Sequence, residues 1–298
     1  MAANPLPSVP EGVTSAAQLD SADLLKFLAG LPQVSRPFIA KWFRQNPHTT
    51  QKADQSPVTI ADQQVETALR DVIQAAFPDD AIQGEEFGSA KSNTPGNGAG
   101  NGAGRFCWVI DPIDGTKAFI SGKPVFGTLV GLTDQGVPLA GMIDMPVLDE
   151  TYIGHLIGHN PADQPPQSAC RMNAAMVRPS PCQTLATARL ATTSPLALSA
   201  AGLTGFNHLA AQAALTNYGG DCHNYALLAA GHIDLVMEDS LAPHDMIAVV
   251  AVMQAAGAVV TDTAGQPIRL GQSSSILAAA TADLHAAALT ALAEVAAD

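Results

Sequence analysis

Two aspartates three residues apart, Asp111 and Asp114, end an apolar run in the segment Trp108-Val109-Ile110-Asp111-Pro112-Ile113-Asp114-Gly115-Thr116. Carboxylates and backbone carbonyls are the hard oxygen ligands that Mg²⁺ selects. The run predicts a strand that delivers both carboxylates and the Ile113 carbonyl into one tight turn stiffened by Pro112. Gly115 lets the backbone approach a ligand closely, and Thr116 offers an N–H and a hydroxyl at a helix start, where an anion such as phosphate is favoured. Asp-Pro and Asp-Gly are also ordinary turn formers, so the segment alone leaves a plain turn open. Two further acidic clusters weigh against that. Glu85 and Glu86 follow Gly84 at a predicted strand end, and Pro243-His244-Asp245 opens the apolar run Met246 to Ala256. Asp245 thus falls in the first turn of a helix, where the helix dipole also favours a negative side chain.

In this order and spacing the chain resembles the inositol monophosphatase family of Mg²⁺-dependent phosphatases. The resemblance spans about Lys52 to Gly257: Lys52-Ala53-Asp54 through Thr59-Ile60-Ala61-Asp62, Gly84-Glu85-Glu86, Asp111 to Thr116, Gly219-Gly220-Asp221, Glu238 and Asp245. Phe126-Gly127-Thr128-Leu129 and the run Gly219 to Val236 make it most similar to the histidinol-phosphate phosphatase branch. The resemblance implies an α/β fold, with an α+β N-terminal half and an α/β C-terminal half in a layered α-β-α-β-α sandwich. It implies that Asp111, Asp114, Asp245, Glu85 and the Ile113 carbonyl hold two or three Mg²⁺ ions, with Gly115 and Thr116 on the phosphate. Thr116 with Asp54 would orient and deprotonate the attacking water, with Thr59 and Glu85 in the catalytic set. Substrate would meet Asp114, Gly220, Asp221, Glu238 and Asp245. A homodimer is expected on the same ground. His244 stands where many members have Trp, which would alter the floor of the substrate pocket.

Several roles stay open. Glu85 is a ligand or a water-orienting base, and Glu86 lies behind it or in solvent. Asp54, Thr59 and Asp62 stand where helix caps stand, so each is structural or catalytic. Asp221 caps the helix Cys222 to Ala230 or reads an amine or imidazole through a charge-assisted hydrogen bond. Glu238 is a strand-end surface residue or a substrate contact. Carboxylates packed this closely repel one another without metal, so a cation requirement follows.

The elements that must position these residues are legible in outline. A chain of 298 residues, 47% hydrophobic, buries a large core as one big domain or two moderate ones. Residues 1–18 are Pro- and Ser-bearing and expected to be flexible; 19–157 form the half with most metal ligands, 158–181 a seam, and 182–298 the half that sets specificity. Ser21 is expected to cap a helix that resumes past Pro37 to Trp42, and a second helix is predicted from about Ala61 to Ala76, ended by Pro78. Strands are predicted at Phe106 to Ile110, Gly127 to Leu132, Leu139 to Met145 and Thr151 to Leu156. Beyond the seam, strands at Ala186 to Ala191, Leu215 to Tyr218, Ile233 to Met237, Ala258 to Thr261 and Ile276 to Ala279 alternate with helical patterns. Ser89 to Gly104, rich in Gly, Asn and Ala, reads as a mobile loop, a lid or a passive linker.

The net charge of −13 argues against a nucleic-acid partner, since such binding rests on Lys and Arg. No C-x-x-C pair exists among the four cysteines, and no run approaches a membrane span or a signal sequence. The expectation is a cytoplasmic enzyme with its thiols reduced. His155 and His159 read as surface residues rather than a metal pair. No G-x-S-x-G, Walker or D-x-D motif is present, which disfavours a phosphoenzyme. The leading reading is a Mg²⁺-dependent phosphomonoesterase acting on L-histidinol phosphate. An inositol-1-phosphate or broad sugar-phosphate phosphatase is the alternative, and a metal-binding regulatory protein without turnover is the alternative of another class.

Overall fold

The computed structural model describes residues 7–45, 49–51, 57–90, 105–156 and 169–296. Helices α1 (Ser21–Gly30) and α2 (Pro32–Trp42) lead through the hairpin β1 (Thr49–Gln51) and β2 (Pro57–Thr59) to α3 (Ile60–Ala76). Asp20, rather than Ser21, caps α1 by accepting from the Asp23 N–H at 2.9 Å. Pro37 sits inside α2 without ending it. Residues 7–18 are not loose: the Ser15 hydroxyl and Ala16 N–H donate to the Asp80 carboxylate, which also accepts from the buried Trp108 indole at 3.1 Å.

The large sheet uses β3 (Ala81–Gly84), β4 (Gly88–Ala90), β5 (Phe106–Asp114), β6 (Gly127–Asp134), β7 (Val137–Met145), β8 (Glu150–His155), β9 (Ala169–Met172) and β10 (Ala175–Met176). Their order is β10-β9-β8-β7-β6-β5-β3-β4, antiparallel except for the parallel pair β3 and β5. The expected seam therefore contributes at 169–176 two strands to this sheet, and the expected loop begins as a strand at 88–90; residues 91–104 lie outside the described set. His155, expected at the surface, is buried in β8, where burial lowers its basicity; His159 lies outside the described residues.

After α4 (Thr116–Ile120) and the large sheet come β11 (Arg189–Thr192), α5 (Ala200–Ala210), β12 (Leu215–Tyr218), α6 (His223–Ala229), β13 (Leu235–Glu238), α7 (Pro243–Ala256), β14 (Val259–Thr261), β15 (Ile276–Ala279) and α8 (Ala282–Ala296). The second sheet runs β12-β11-β13-β15-β14. Period-two alternation splits its side chains between two cores. Leu190, Leu235, Leu277 and Ala279 pack on α5 and α8 through Phe206, Leu209, Leu284 and Ala288. Ala191, Val236 and Ala278 face α6 and α7 together with Leu129, Ile143 and Tyr152 of the large sheet. The other face of the large sheet is covered by α1 to α3, where Phe27 and Phe77 pack on Trp108 at centroid distances of 5.7 and 5.0 Å. The layers are thus α-β-α-β-α, as the resemblance implies.

Helix α7 is the central layer, and its residues from Met246 to Met253 are all buried. Such a helix carries no polar face to solvate. It lies unusually close to the large sheet because Gly131, Gly141 and Gly154 are direct neighbours across β6, β7 and β8. A Cβ at Gly131 would stand 2.7 Å from the Ile247 side chain and 2.8 Å from the Ala248 nitrogen. At Gly154 it would stand 2.8 Å from the Val252 Cα, and at Gly141 it would overlap the Ala248 carbonyl. The three glycines form a shallow groove that receives helix backbone, and the groove sets where the first turn of α7 emerges. Gly141→Ala is expected to lower stability by about 1–3 kcal/mol through overpacking, measured as a lower urea midpoint; an unchanged midpoint would show that the groove has slack.

Candidate metal and phosphate site

In a regular strand, residues three apart point to opposite faces. Asp111 faces Leu129 and Asp114 faces Gly127 in the pairing of β5 with β6, so β5 spends three steps where β6 spends two. That bulge turns Asp114 back to the side of Asp111. Pro112 suits it, lacking the N–H that the interrupted ladder cannot use, and the Pro112 carbonyl accepts from the Thr128 hydroxyl at 2.9 Å. The pair is therefore presented by a bulged strand and not, as the sequence suggests, by a tight turn. The turn begins one residue later at Gly115, in the left-handed region at φ 83°, and α4 starts at Thr116. The Thr116 hydroxyl donates to the Ile113 carbonyl at 3.1 Å.

Asp245, in the first turn of α7, meets this strand end. Asp111, Asp114 and Asp245 each offer an oxygen, all within 4.8 Å of one another. A second group, Glu85, Asp111 and His244, satisfies the same limit. Asp111 belongs to both, is 2% exposed, and has a buried Oδ1 with no hydrogen-bond partner among the described residues. Burial first, and then the charges of Glu85, Asp114 and Asp245, raise the Asp111 carboxyl well above the ordinary range. Burial, Asp221 and Asp245 do the same to Asp114. Burial also raises Asp245, against the opposing pull of His244. Buried carboxylates without a counter-charge are costly, and oxygens converging at this spacing fit a divalent cation. The donor set fits Mg²⁺.

Glu85 is placed by a residue that sequence reasoning passed over. Glu66, fully buried on α3, accepts from the N–H groups of Glu86 and Phe87 at 2.7 and 3.2 Å and from Arg70 Nε at 2.7 Å, while Arg70 also donates to the Gly88 carbonyl. The turn after β3 is thus clamped to a helix. The available signal was an acidic residue among the buried-face positions of α3, Val65 and Leu69.

Thr59 and Asp62 form the capping box of α3: the Thr59 N–H and hydroxyl donate to Asp62 Oδ2 at 2.8 and 2.5 Å, and Thr59 Oγ1 accepts from the Ala61 N–H. Thr59 is therefore held as a cap. Asp62 does more, because its buried Oδ1 has no partner among the described residues, and burial with the Glu85 charge pushes its carboxyl up to about 6. Asp54 lies outside the described residues.

From the second half come Gly219, Gly220 and Asp221, three successive residues at positive φ. The bend presses Asp221 against Gly115, where an added Cβ would lie 2.9 Å from the Asp221 carboxyl carbon. Asp221 does not cap α6; Cys222 holds that position without a side-chain bond, and its N–H donates to Asp114 at 2.6 Å. Among the described residues no donor bonds the Asp221 side chain, and burial pushes it up to about 6 against Lys117 and Lys123. Glu238 is not at the surface. It is 7% exposed and accepts from the Thr193 N–H at 2.6 Å and the Tyr225 hydroxyl at 2.8 Å. Asp114, Asp221, Glu238 and Asp245 line one cavity of about 180 Å³ with Tyr225 and Thr193. His244, expected in the pocket floor, is not part of that lining and lies on the Glu85 side.

Residues 21–297 match the inositol monophosphatase family. The chain is 37% identical over 288 residues to the bifunctional phosphatase IMPL2, chloroplastic, of Arabidopsis thaliana, covering 93% of this chain and 78% of that protein. It is 32% identical over 221 residues to a histidinol-phosphatase of Chlorobaculum parvum, covering 72% and 76%. An inositol monophosphatase from Zymomonas mobilis superposes with a TM-score of 0.77 at 33% identity, over 93% of this chain and all of that one.

The raised carboxyls fix a sign. With folded-state values near 6 for Asp62 and Asp221 against about 4 in an unfolded chain, the metal-free folded state holds protons that the unfolded state has released. Its stability therefore falls as pH rises through that window. Mg²⁺ is expected to raise the melting temperature more at about pH 7.5 than at about pH 5, as thermal melts will show; an equal or reversed shift would contradict the cation reading. Glu66→Gln, by loosening the Glu85 turn, is expected to weaken Mg²⁺ binding about 10-fold, read by calorimetric titration.

Proposed function

Because this chain belongs to the inositol monophosphatase family, and is thus a phosphoric monoester hydrolase, we propose that its substrate is L-histidinol phosphate. The observation that carries the proposal is Asp221: a largely buried carboxylate beside the phosphate-binding turn, bonded by no donor among the described residues, in a cavity whose other lining includes Glu238. Among the described residues no Lys or Arg lines that cavity, and Lys117 and Lys123 act on Asp221 from outside it. Asp114 and Asp245 face the cation, so Asp221 and Glu238 leave negative charge beyond what metal binding uses. A neutral polyol can donate hydroxyl hydrogen bonds to those two but supplies no counter-charge. A leaving group bearing an ammonium and an imidazole does, through charge-assisted hydrogen bonds. The similarity to a histidinol-phosphatase supports the same reading.

In this reading Asp111, Asp114, Asp245, Glu85 and the Ile113 carbonyl would hold Mg²⁺, which when bound would supply Lewis acidity to the phosphate oxygens and lower the pKa of a water. The remaining roles belong to the chain. The N–H groups at Gly115 and Thr116 would donate to the phosphate oxygens where α4 begins, and the Thr116 hydroxyl, anchored on Ile113, would orient the water. Asp62 Oδ1, unpartnered and on a carboxyl that burial raises to about 6, would be ionised at about pH 7 and would take its proton. Glu238, fixed by Thr193 and Tyr225, and Asp221, pressed on Gly115, orient the leaving alcohol. Family members act on small phosphate monoesters and are often dimers, and no helix among the described residues is long and apolar enough to cross a membrane.

Phosphate release with Mg²⁺ from L-histidinol phosphate, inositol-1-phosphate and fructose-1,6-bisphosphate at matched concentrations tests the assignment. A preference for histidinol phosphate of roughly a hundredfold in kcat/KM is expected, about 2.7 kcal/mol of discrimination; comparable rates would reduce it to a broad phosphatase. Asp221→Asn is expected to raise KM for histidinol phosphate about 10-fold or more, ~1.5 kcal/mol for one charge-assisted bond, while the inositol-1-phosphate rate changes little.

A further inference from the structure

The carboxylate pair Glu85 and Asp111 has a third neighbour that is not an oxygen. His244 occupies the second position of α7, between Pro243 and Asp245. One of its ring nitrogens lies within 4.8 Å of a carboxylate oxygen of Glu85 and of Asp111, and those oxygens are equally close to each other. The ring is largely buried, and its Nε2 is 3.6 Å from Asp245 Oδ1, beyond hydrogen-bond length. No described residue bonds it. The point on which it converges is also the one served by the buried, unpartnered Oδ1 residue, Asp111. Two carboxylates from β5 and the β3 turn and one imidazole from α7 are thus gathered around a common centre, while Asp111 also belongs to an all-oxygen group with Asp114 and Asp245.

Imidazole discriminates among cations. Mg²⁺ takes oxygen ligands in a near-ideal octahedron and keeps several waters, whereas a nitrogen ligand favours first-row transition ions, of which Mn²⁺ also accepts carboxylates readily. We propose that His244 is a direct nitrogen ligand of the cation held by Glu85 and Asp111, so that this subsite takes Mn²⁺ in preference to Mg²⁺ while the all-oxygen subsite does not discriminate in the same way. The proposal rests on reading the carboxylates as a metal centre, but is independent of which phosphate monoester is cleaved.

The test is pulsed electron paramagnetic resonance on the full chain loaded with less than one equivalent of Mn²⁺. Directly bound imidazole gives ¹⁴N modulation of the Mn²⁺ echo, expected in the wild type and lost in His244→Phe. Mn²⁺ affinity, followed by the free-ion signal, is expected to fall about 10-fold or more in that variant, with Mg²⁺ affinity unchanged within about 2-fold. His244→Gln, which keeps polarity and volume closer to histidine, serves if the Phe variant does not fold. Bound Mn²⁺ without ¹⁴N modulation, or modulation that survives both substitutions, overturns the assignment. If Mn²⁺ does not bind at all the assignment also fails; a Mg²⁺ thermal shift under the same conditions would then show that the metal-centre reading survives it, and the lack of one would show that both fail together.

Discussion

The backbone of α7 rests on three glycines that stand in register on β6, β7 and β8. Protein interiors do not compress, so this contact fixes the height and axis of the helix to within a fraction of a side chain. Everything at the mouth of the site inherits that precision. Asp245 and His244 ride on the first turn of α7, and their distance from Asp111 is set by how deeply the helix lies in the groove. The same helix carries the two sheets, since its opposite side packs on α6 and the inner face of the second sheet. A helix with no polar face has nowhere else to go.

Against that rigid frame the site concentrates groups that do not want to be together. Asp111, Asp114 and Asp245 are buried within reach of one another, with Glu85 beside them, and all three aspartates are raised first by burial and then by neighbouring carboxylate charge. Local donors offset only part of the cost, the Cys222 N–H on Asp114 and the Ala242 N–H on Asp245. The rest is carried by the packing of the surrounding layers and by the Glu66 clamp that holds the Glu85 turn. A preorganised set of oxygens that repel one another is a receptor for a cation, because binding removes the repulsion.

The two halves meet at single contacts of high consequence. Asp221 packs on Gly115 in the space where any other residue would place a Cβ, so the turn at Gly115 and the loop at Gly219–Asp221 define each other's position. Glu238 closes the other wall, with both oxygens engaged by Thr193 and Tyr225. Asp111 and Asp114 on β5 and Asp221 and Glu238 in the second half are remote in sequence, yet Asp114, Asp221 and Glu238 line one cavity.

Much of this was legible in the amino-acid order alone. The apolar run into Asp111 and Asp114, the carboxylate in the first turn of α7, the α3 periodicity and most strand positions follow from local patterns, because burial period and capping chemistry are local properties. So is the excess of acid that calls for a cation. What the sequence left open were the choices that neighbours make. Asp221 is indistinguishable from an N-cap until Gly115 is seen beneath it. Glu238 looks like a surface strand end until Tyr225 covers it. Asp62 is both cap and unpartnered carboxylate, and only its proximity to Glu85 separates the two. The bulge between Asp111 and Asp114 depends on pairing with β6, and Glu66 and His244 acquire meaning only from the segments packed against them. Local order determined which residues could bear charge and on which element; the tertiary structure decided which of those charges face one another, because that depends on distances between segments remote in the chain.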